Sequence, residues 1–145
     1  MRDIKIWTDG ACSGNPGKGG WCAILIYGDA KKIISGGESE TTNNKMELLA
    51  VISGLQALKE PCNVTLHSDS AYIVNAFHQD WISNWIANGW RSSKRQPVAN
   101  KDLWLTLLEL TKLHNVTFAK VKGHSDNYYN NVCDEIARKE INKLR

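Results

Sequence analysis

Four acidic residues stand at positions where an ordinary domain avoids charge. Asp9 ends the apolar strand predicted over Ile4–Thr8, and Asp69 ends a second strand over Val64–Ser68. Glu47 lies on a helix stripe that otherwise reads Ala50, Val51, Gly54 and Leu58, the spacing of one buried face. Asp134 opens a C-terminal helix beside Cys133, Ile136 and Ala137. If the fold gathers these four, their mutual repulsion is costly at low local dielectric, and divalent cations are the usual remedy. Hard oxygen ligands that leave open coordination positions are the basis of metal-dependent phosphodiester chemistry.

Each acid has a plainer reading taken singly. Asp69, before Ser70-Ala71-Tyr72, suits a helix N-cap. Asp134 and Glu135 suit the first turn of a helix, where the dipole favours acids. Asp9-Gly10 reads as a turn dipeptide. Glu47 resists such a reading, because a carboxylate on a core-facing stripe needs a partner.

The elements that must position them can be read from hydrophobic period and turn signals. Strands are predicted over Ile4–Thr8, Trp21–Tyr27 and about Lys32–Ser39, an antiparallel meander. Gly14-Asn15-Pro16-Gly17-Lys18-Gly19-Gly20 between the first two faintly resembles a phosphate-cradling loop. Such loops open a helix, whereas this one leads into a strand and contains proline, so it reads as a broad hairpin turn. Thr41-Thr42-Asn43-Asn44 supplies an N-cap region for a helix over about Asn44–Leu58, stopped by Pro61. After the strand at Val64–Ser68 come helices over about Ser70–Phe77, Trp81–Ala87 and Lys101–Leu113. A strand at Val116–Val121 and a helix at Asn130–Leu144 follow. Three antiparallel strands followed by alternating helices and strands imply an α/β fold, a mixed five-stranded sheet with helices on both faces.

Composition sets the frame. A chain of 145 residues, 42% hydrophobic and 23% charged, is expected to form one domain, residues 1–145. There is no apolar run of membrane-spanning length and no secretory signal after Met1-Arg2-Asp3-Ile4, so a cytoplasmic protein is expected. Cys12, Cys22, Cys62 and Cys133 form no CxxC pair and no zinc spacing, which suits reduced packing residues. The net charge of +3 is small, but reserving four acids for metal leaves a more basic surface, compatible with a polyanion.

Several motifs together resemble those of type 1 ribonuclease H. They are Thr8-Asp9-Gly10-Ala11-Cys12 with Gly14-Asn15-Pro16-Gly17, Thr42-Asn43-Asn44-Lys45-Met46-Glu47-Leu48, and Ser68-Asp69-Ser70. Val121-Lys122-Gly123-His124 and Cys133-Asp134-Glu135-Ile136-Ala137 complete the set, in the family's order and spacing and across nearly the whole chain. The resemblance implies the ribonuclease H fold and an endonuclease that cuts the RNA strand of an RNA·DNA hybrid, leaving 5′-phosphate and 3′-hydroxyl ends. It implies that Asp9, Glu47, Asp69 and Asp134 hold two Mg²⁺ ions about 4 Å apart, with Mn²⁺ as a substitute. One ion would activate the attacking water and the other would stabilise the departing 3′ oxygen. Glu47 would also read the 2′-hydroxyl.

By itself His124, in a loop before Ser125-Asp126-Asn127, is more often a solvated surface histidine. The resemblance gives it a role in proton shuttling or product release. It also makes Cys12, Asn15, Thr42, Asn43, Asn44, Trp81 and Asn84 candidate substrate contacts. The stretch Asn88–Pro97 resembles the family's basic handle, with Arg91, Lys94 and Arg95 adding salt-sensitive affinity. The i, i+4 spacing of Trp81 and Trp85, with Trp90 and Trp104 nearby, argues mainly for packing.

The chain departs from the family where Ile86 and Ala87 replace common handle cations, where Glu40 replaces an arginine of some relatives, and where Ala71 replaces a longer side chain. No appended hybrid-binding domain is expected, so processivity should be modest. Two other readings compete: a non-catalytic hybrid- or double-stranded-RNA-binding module, and a polynucleotidyl transferase. A binder has no use for four mutually repelling acids. A transferase normally needs three of them and extra DNA-binding domains. The hybrid-specific nuclease, a monomer, is the expectation.

Overall fold

The computed structural model describes residues 1–92, 94–121 and 127–144. Three long strands open the chain: β1 (Arg2–Ser13), β2 (Gly17–Tyr27) and β3 (Ala30–Thr41). They are followed by α1 (Asn43–Gln56), β4 (Cys62–Ser68), α2 (Ala71–His78), α3 (Trp81–Ala87), α4 (Lys101–Leu113), β5 (Asn115–Lys120) and α5 (Tyr128–Asn142). The sheet order is β3-β2-β1-β4-β5. β1, β2 and β3 pair antiparallel, while β4 lies parallel to β1 and β5 parallel to β4. The expected mixed sheet is therefore the observed one.

Alternation along β1 builds the two faces. Ile4 and Ile6 join Leu48, Val51, Leu55, Leu66, Trp104 and Leu107 in the larger core, beneath α1 and α4. Trp7 points the other way and joins Cys22, Ile24, Cys133 and Ala137 beneath α5. Helices thus cover both faces, as the pattern predicts. Gly20 has a packing reason: a Cβ there would overlap the Ala137 carbonyl, so α5 seats directly on β2.

The boundaries differ where the sheet extends beyond its apolar stretches. β1 does not end at Asp9 but continues to Ser13, because its ladder with β2 runs to Ser13↔Lys18. The glycine-rich stretch is accordingly not all turn. Gly17–Gly20 belong to β2, and only the three residues between β1 and β2, among them Gly14 with φ +85°, make the reversal. α1 ends at Gln56, before Leu58 and Pro61, with Ala57 closing the last turn. α5 starts at Tyr128, capped by Asn127, so Asp134 lies well inside the helix rather than opening it. All four cysteines are free thiols. Among the described residues, no helix is long and apolar enough to cross a membrane.

Candidate active site

The sheet register brings the first two acids together. Trp7 on β1 pairs with His67 on β4, and their rings stack at 4.4 Å. Asp9 and Asp69 each lie two residues further on, at the same level of neighbouring parallel strands and on the same face. Asp69 is the first residue after β4, at the carboxyl end of the parallel strands where α/β sheets collect ligands. It is not an N-cap: that role falls to Ser70, whose hydroxyl accepts from the Ile73 amide.

Glu47 is delivered from the other side of β1. Thr42 caps α1 by accepting from the Lys45 amide, and the first turn of the helix then lies against Gly10. A Cβ on Gly10 would sit 2.5 Å from the Glu47 nitrogen, so only glycine allows this approach. Carboxylate oxygens of Asp9, Glu47 and Asp69 all lie within 4.8 Å of one another. Asp134 closes the group from α5. It hydrogen-bonds Asp9 and is held at 2.6 Å by Arg138, one turn on.

Electrostatics follow from this crowding. Asp9 is only 5% exposed. Burial first, then the charges of Glu47, Asp69 and Asp134, push its pKa from 3.8 up to about 10. Burial and then Asp69 push Glu47 from 4.5 to about 8, although hydrogen bonds from the Gly10 amide and Ser70 hydroxyl oppose the rise. Two unit charges at this separation repel by roughly 3–4 kcal/mol at an effective dielectric of about 20. Three ionised carboxylates therefore require a counter-charge.

The donor set suits one. Oxygens on a single Mg²⁺ lie about 3–4 Å apart, within a small side-chain adjustment of the separations here. The all-oxygen set excludes a soft-metal site. Asp9, Glu47, Asp69 and Asp134 line one polar cleft of about 330 Å³, together with Gly10, Asn43, Asn44, Ser70, Asn130 and Asn131.

The other expected residues fall into three groups. Asn43 and Asn44 are in the cleft. Asn15 adjoins it, its side-chain oxygen accepting from the Asn43 amide at 3.2 Å, and Thr42 caps the same helix. Cys12 packs nearby, its thiol donating to the Thr41 carbonyl. Trp81 and Asn84 lie on α3, outside the cleft. Arg91, Lys94 and Arg95 are exposed on the connection between α3 and α4, where Arg91 Nη1 donates to the Arg95 carbonyl and Ser92 N to the Gln96 carbonyl. Trp85 touches Trp81, Trp90 and buried Trp104, so that tryptophan cluster is packing. His124 lies outside the described residues. Asn130 and Ser70 were not anticipated, although the i, i+4 spacing of Asn130 and Asp134 was a readable signal.

Comparison with known proteins agrees with this architecture. The RNase H family model matches residues 1–142. The chain is 60% identical to a ribonuclease H of Caldicellulosiruptor saccharolyticus over the whole of both chains. It is 61% identical to one of Chlorobaculum parvum over 97% of this chain and 96% of that protein. Among solved structures, LC9-RNase H1, a type 1 RNase H with the type 2 active-site motif, superposes with a TM-score of 0.88 at 25% identity, covering 100% of this chain and 74% of that one. LC11-RNase H1, solved with an RNA/DNA hybrid, superposes with a TM-score of 0.73 at 22% identity over 97% of both chains.

Fold and matched sequence together define a nuclease of the ribonuclease H class, with a carboxylate cleft that could hold a metal. The chain belongs to the ribonuclease H family and is a hydrolytic nuclease.

Proposed function

We propose that this ribonuclease H hydrolyses the RNA strand of RNA·DNA hybrids, with two Mg²⁺ ions held by Asp9, Glu47, Asp69 and Asp134. Mn²⁺ is an acceptable substitute. The observation that carries the proposal is the convergence of three carboxylates within 4.8 Å, with a fourth beside them, in an open polar cleft. When bound, the cations supply an activated water and charge neutralisation at the departing 3′ oxygen. The products carry 5′-phosphate and 3′-hydroxyl ends.

The chain's own residues do the rest. Asp9 sits at the centre of the group, and its raised pKa makes it the carboxyl most dependent on a cation for its charge. Glu47, on the α1 wall, accepts from a ribose 2′-hydroxyl, the group that distinguishes RNA from DNA. Asn43 and Asn44 present polar side chains at the start of α1, where the helix dipole favours phosphate, and Asn15 holds that turn in place by accepting from the Asn43 amide. Trp81 and Asn84 on α3 contact the DNA strand, while Arg91, Lys94 and Arg95 grip its phosphates. Cys12 and Thr42 support the same wall. His124 shuttles a proton or speeds product release. The chain acts as a single catalytic domain and a monomer.

A hybrid-binding module without catalysis would not retain a cluster that costs stability whenever it is empty. The two readings separate in one assay. Purified protein is incubated at low salt with labelled RNA·DNA, RNA·RNA and DNA·DNA duplexes, with Mg²⁺, Mn²⁺ or EDTA, beside an Asp9→Asn variant. Cleavage confined to the RNA strand of the hybrid, and lost with EDTA and in the variant, is expected. Binding without cleavage in every metal would reject catalysis.

A further inference from the structure

Four buried side-chain polar atoms among the described residues have no hydrogen-bond partner: Trp7 Nε1, Thr41 Oγ1, His67 Nε2 and Asn130 Oδ1. Only the last belongs to a residue of the carboxylate cleft. Asn130 is 3% exposed, and its backbone is fixed in the first turn of α5, its amide donating to the Asn127 side chain at 3.1 Å. It lies one turn before Asp134 on the same helix face.

A buried amide oxygen without a donor costs about 1–3 kcal/mol, and such exceptions call for a specific reason. Although Ser70, Asn43 and Asn44 also line the cleft, no donor among the described residues reaches this oxygen, and the acids can only accept once they are ionised. A ligand in the cleft can bring the missing donor. Water on a divalent cation is the fitting chemistry, since its protons are strongly polarised. An amide also accepts from it without adding a fifth negative charge. The last torsion of an asparagine is broad and two-fold, so its oxygen can turn toward the cleft at low cost.

We propose that Asn130 is a positioning residue for the cation site, its side-chain oxygen accepting from a water of hydration on the cation held beside Asp134. This rests on the reading of the carboxylates as cation ligands. Asn130 orients that water and stabilises the hydrated ion. In the absence of cation its oxygen is unpaired, so the residue is retained against the stability of the metal-free protein.

The test follows thermal unfolding of the full chain, without nucleic acid, as Mg²⁺ or Mn²⁺ is added back after EDTA treatment. Parent, Asp9→Asn, Asn130→Leu and Asn130→Asp are compared. Asn130→Leu should unfold in EDTA at the parent's temperature or above it, while its half-saturating Mg²⁺ concentration rises about tenfold. Asn130→Asp restores an oxygen and should keep half-saturation at or below the parent's. A parent-like response in Asn130→Leu, with or without a lower unfolding temperature in EDTA, overturns the proposal. Should Asn130→Leu fail to fold, Asn130→Ser, whose hydroxyl cannot reach as far, should show the same rise, and an unchanged value overturns it. If the parent itself gains no stability from cation, the carboxylate reading falls too. A parent response lost in Asp9→Asn but untouched in the Asn130 variants rejects Asn130 alone.

Discussion

The backbone of Glu47 rests directly on Gly10: a Cβ added to that glycine would meet the Glu47 nitrogen at 2.5 Å and the Met46 carbonyl carbon at 2.6 Å. The strand residue next to Asp9 thus sets how closely the helix carrying Glu47 approaches. Gly10→Ala should push α1 away, costing about 2 kcal/mol or more in stability. Its loss of hybrid cleavage should exceed what the remaining folded fraction explains. Denaturant unfolding together with cleavage rates checks this, and near-parental values for both would contradict it.

The stability of the metal-free protein should fall as pH rises. Unfolded carboxyls ionise near pH 4, whereas in the folded chain Glu47 holds its proton to about pH 8 and Asp9 to about pH 10. The folded state therefore binds more protons between these limits. Its advantage is full below about pH 4 and is lost progressively up to the folded pKa values. In EDTA, Asp9→Asn should flatten this slope and raise stability at pH 8 by on the order of a few kcal/mol. Unfolding curves at pH 5 and pH 8 decide the matter, and a parent slope matching the variant's would refute it.

Asp134 is shared between Asp9 and Arg138, whose guanidinium lies 2.6 Å from it. A cation must compete with that arginine. Because the pair is substantially exposed, it is worth only about 0.2–1 kcal/mol. Arg138→Ala should then lower half-saturating Mg²⁺ by up to about fivefold with little change in folding. Weaker cation binding in this variant would mean that Arg138 supports the site instead.

Far from the cleft, His114 Nδ1 accepts from the Cys62 amide at 3.1 Å, tying the start of β4 to the end of α4. Burial lowers its pKa below the usual histidine value of 6.5. A lowered histidine contributes stability that is present above pH 6.5 and lost as pH falls through the folded pKa. His114→Ala should cost about 1–3 kcal/mol at pH 7, partly by orphaning a buried amide. The difference between variant and parent should shrink toward pH 5, as chemical denaturation at the two pH values would reveal.

Much of this was legible in the chain itself. The sheet and its helices follow from period and turn residues, and α3 and α4 begin and end where expected. Other features depend on pairing that no local pattern displays. Nothing near Asp9 indicates that β1 runs on to Ser13, because that extension exists only through its ladder with the glycine-rich start of β2. Asp134 was identified while its place in the helix was misread, since Asn127 caps α5 earlier than the apolar positions suggest. Asn130 was missed because an asparagine reads as a surface residue until burial removes its partners.

If the carboxylate cluster holds the cations required for cleavage, those ions must lie against Asp9. Anomalous scattering from crystals grown with Mn²⁺ locates those ions directly. A peak is expected within about 2.5 Å of an Asp9 carboxylate oxygen, with Glu47, Asp69 or Asp134 as a second ligand. Saturating Mn²⁺ that leaves Asp9 without a neighbouring peak, while cleavage proceeds under the same conditions, would contradict it.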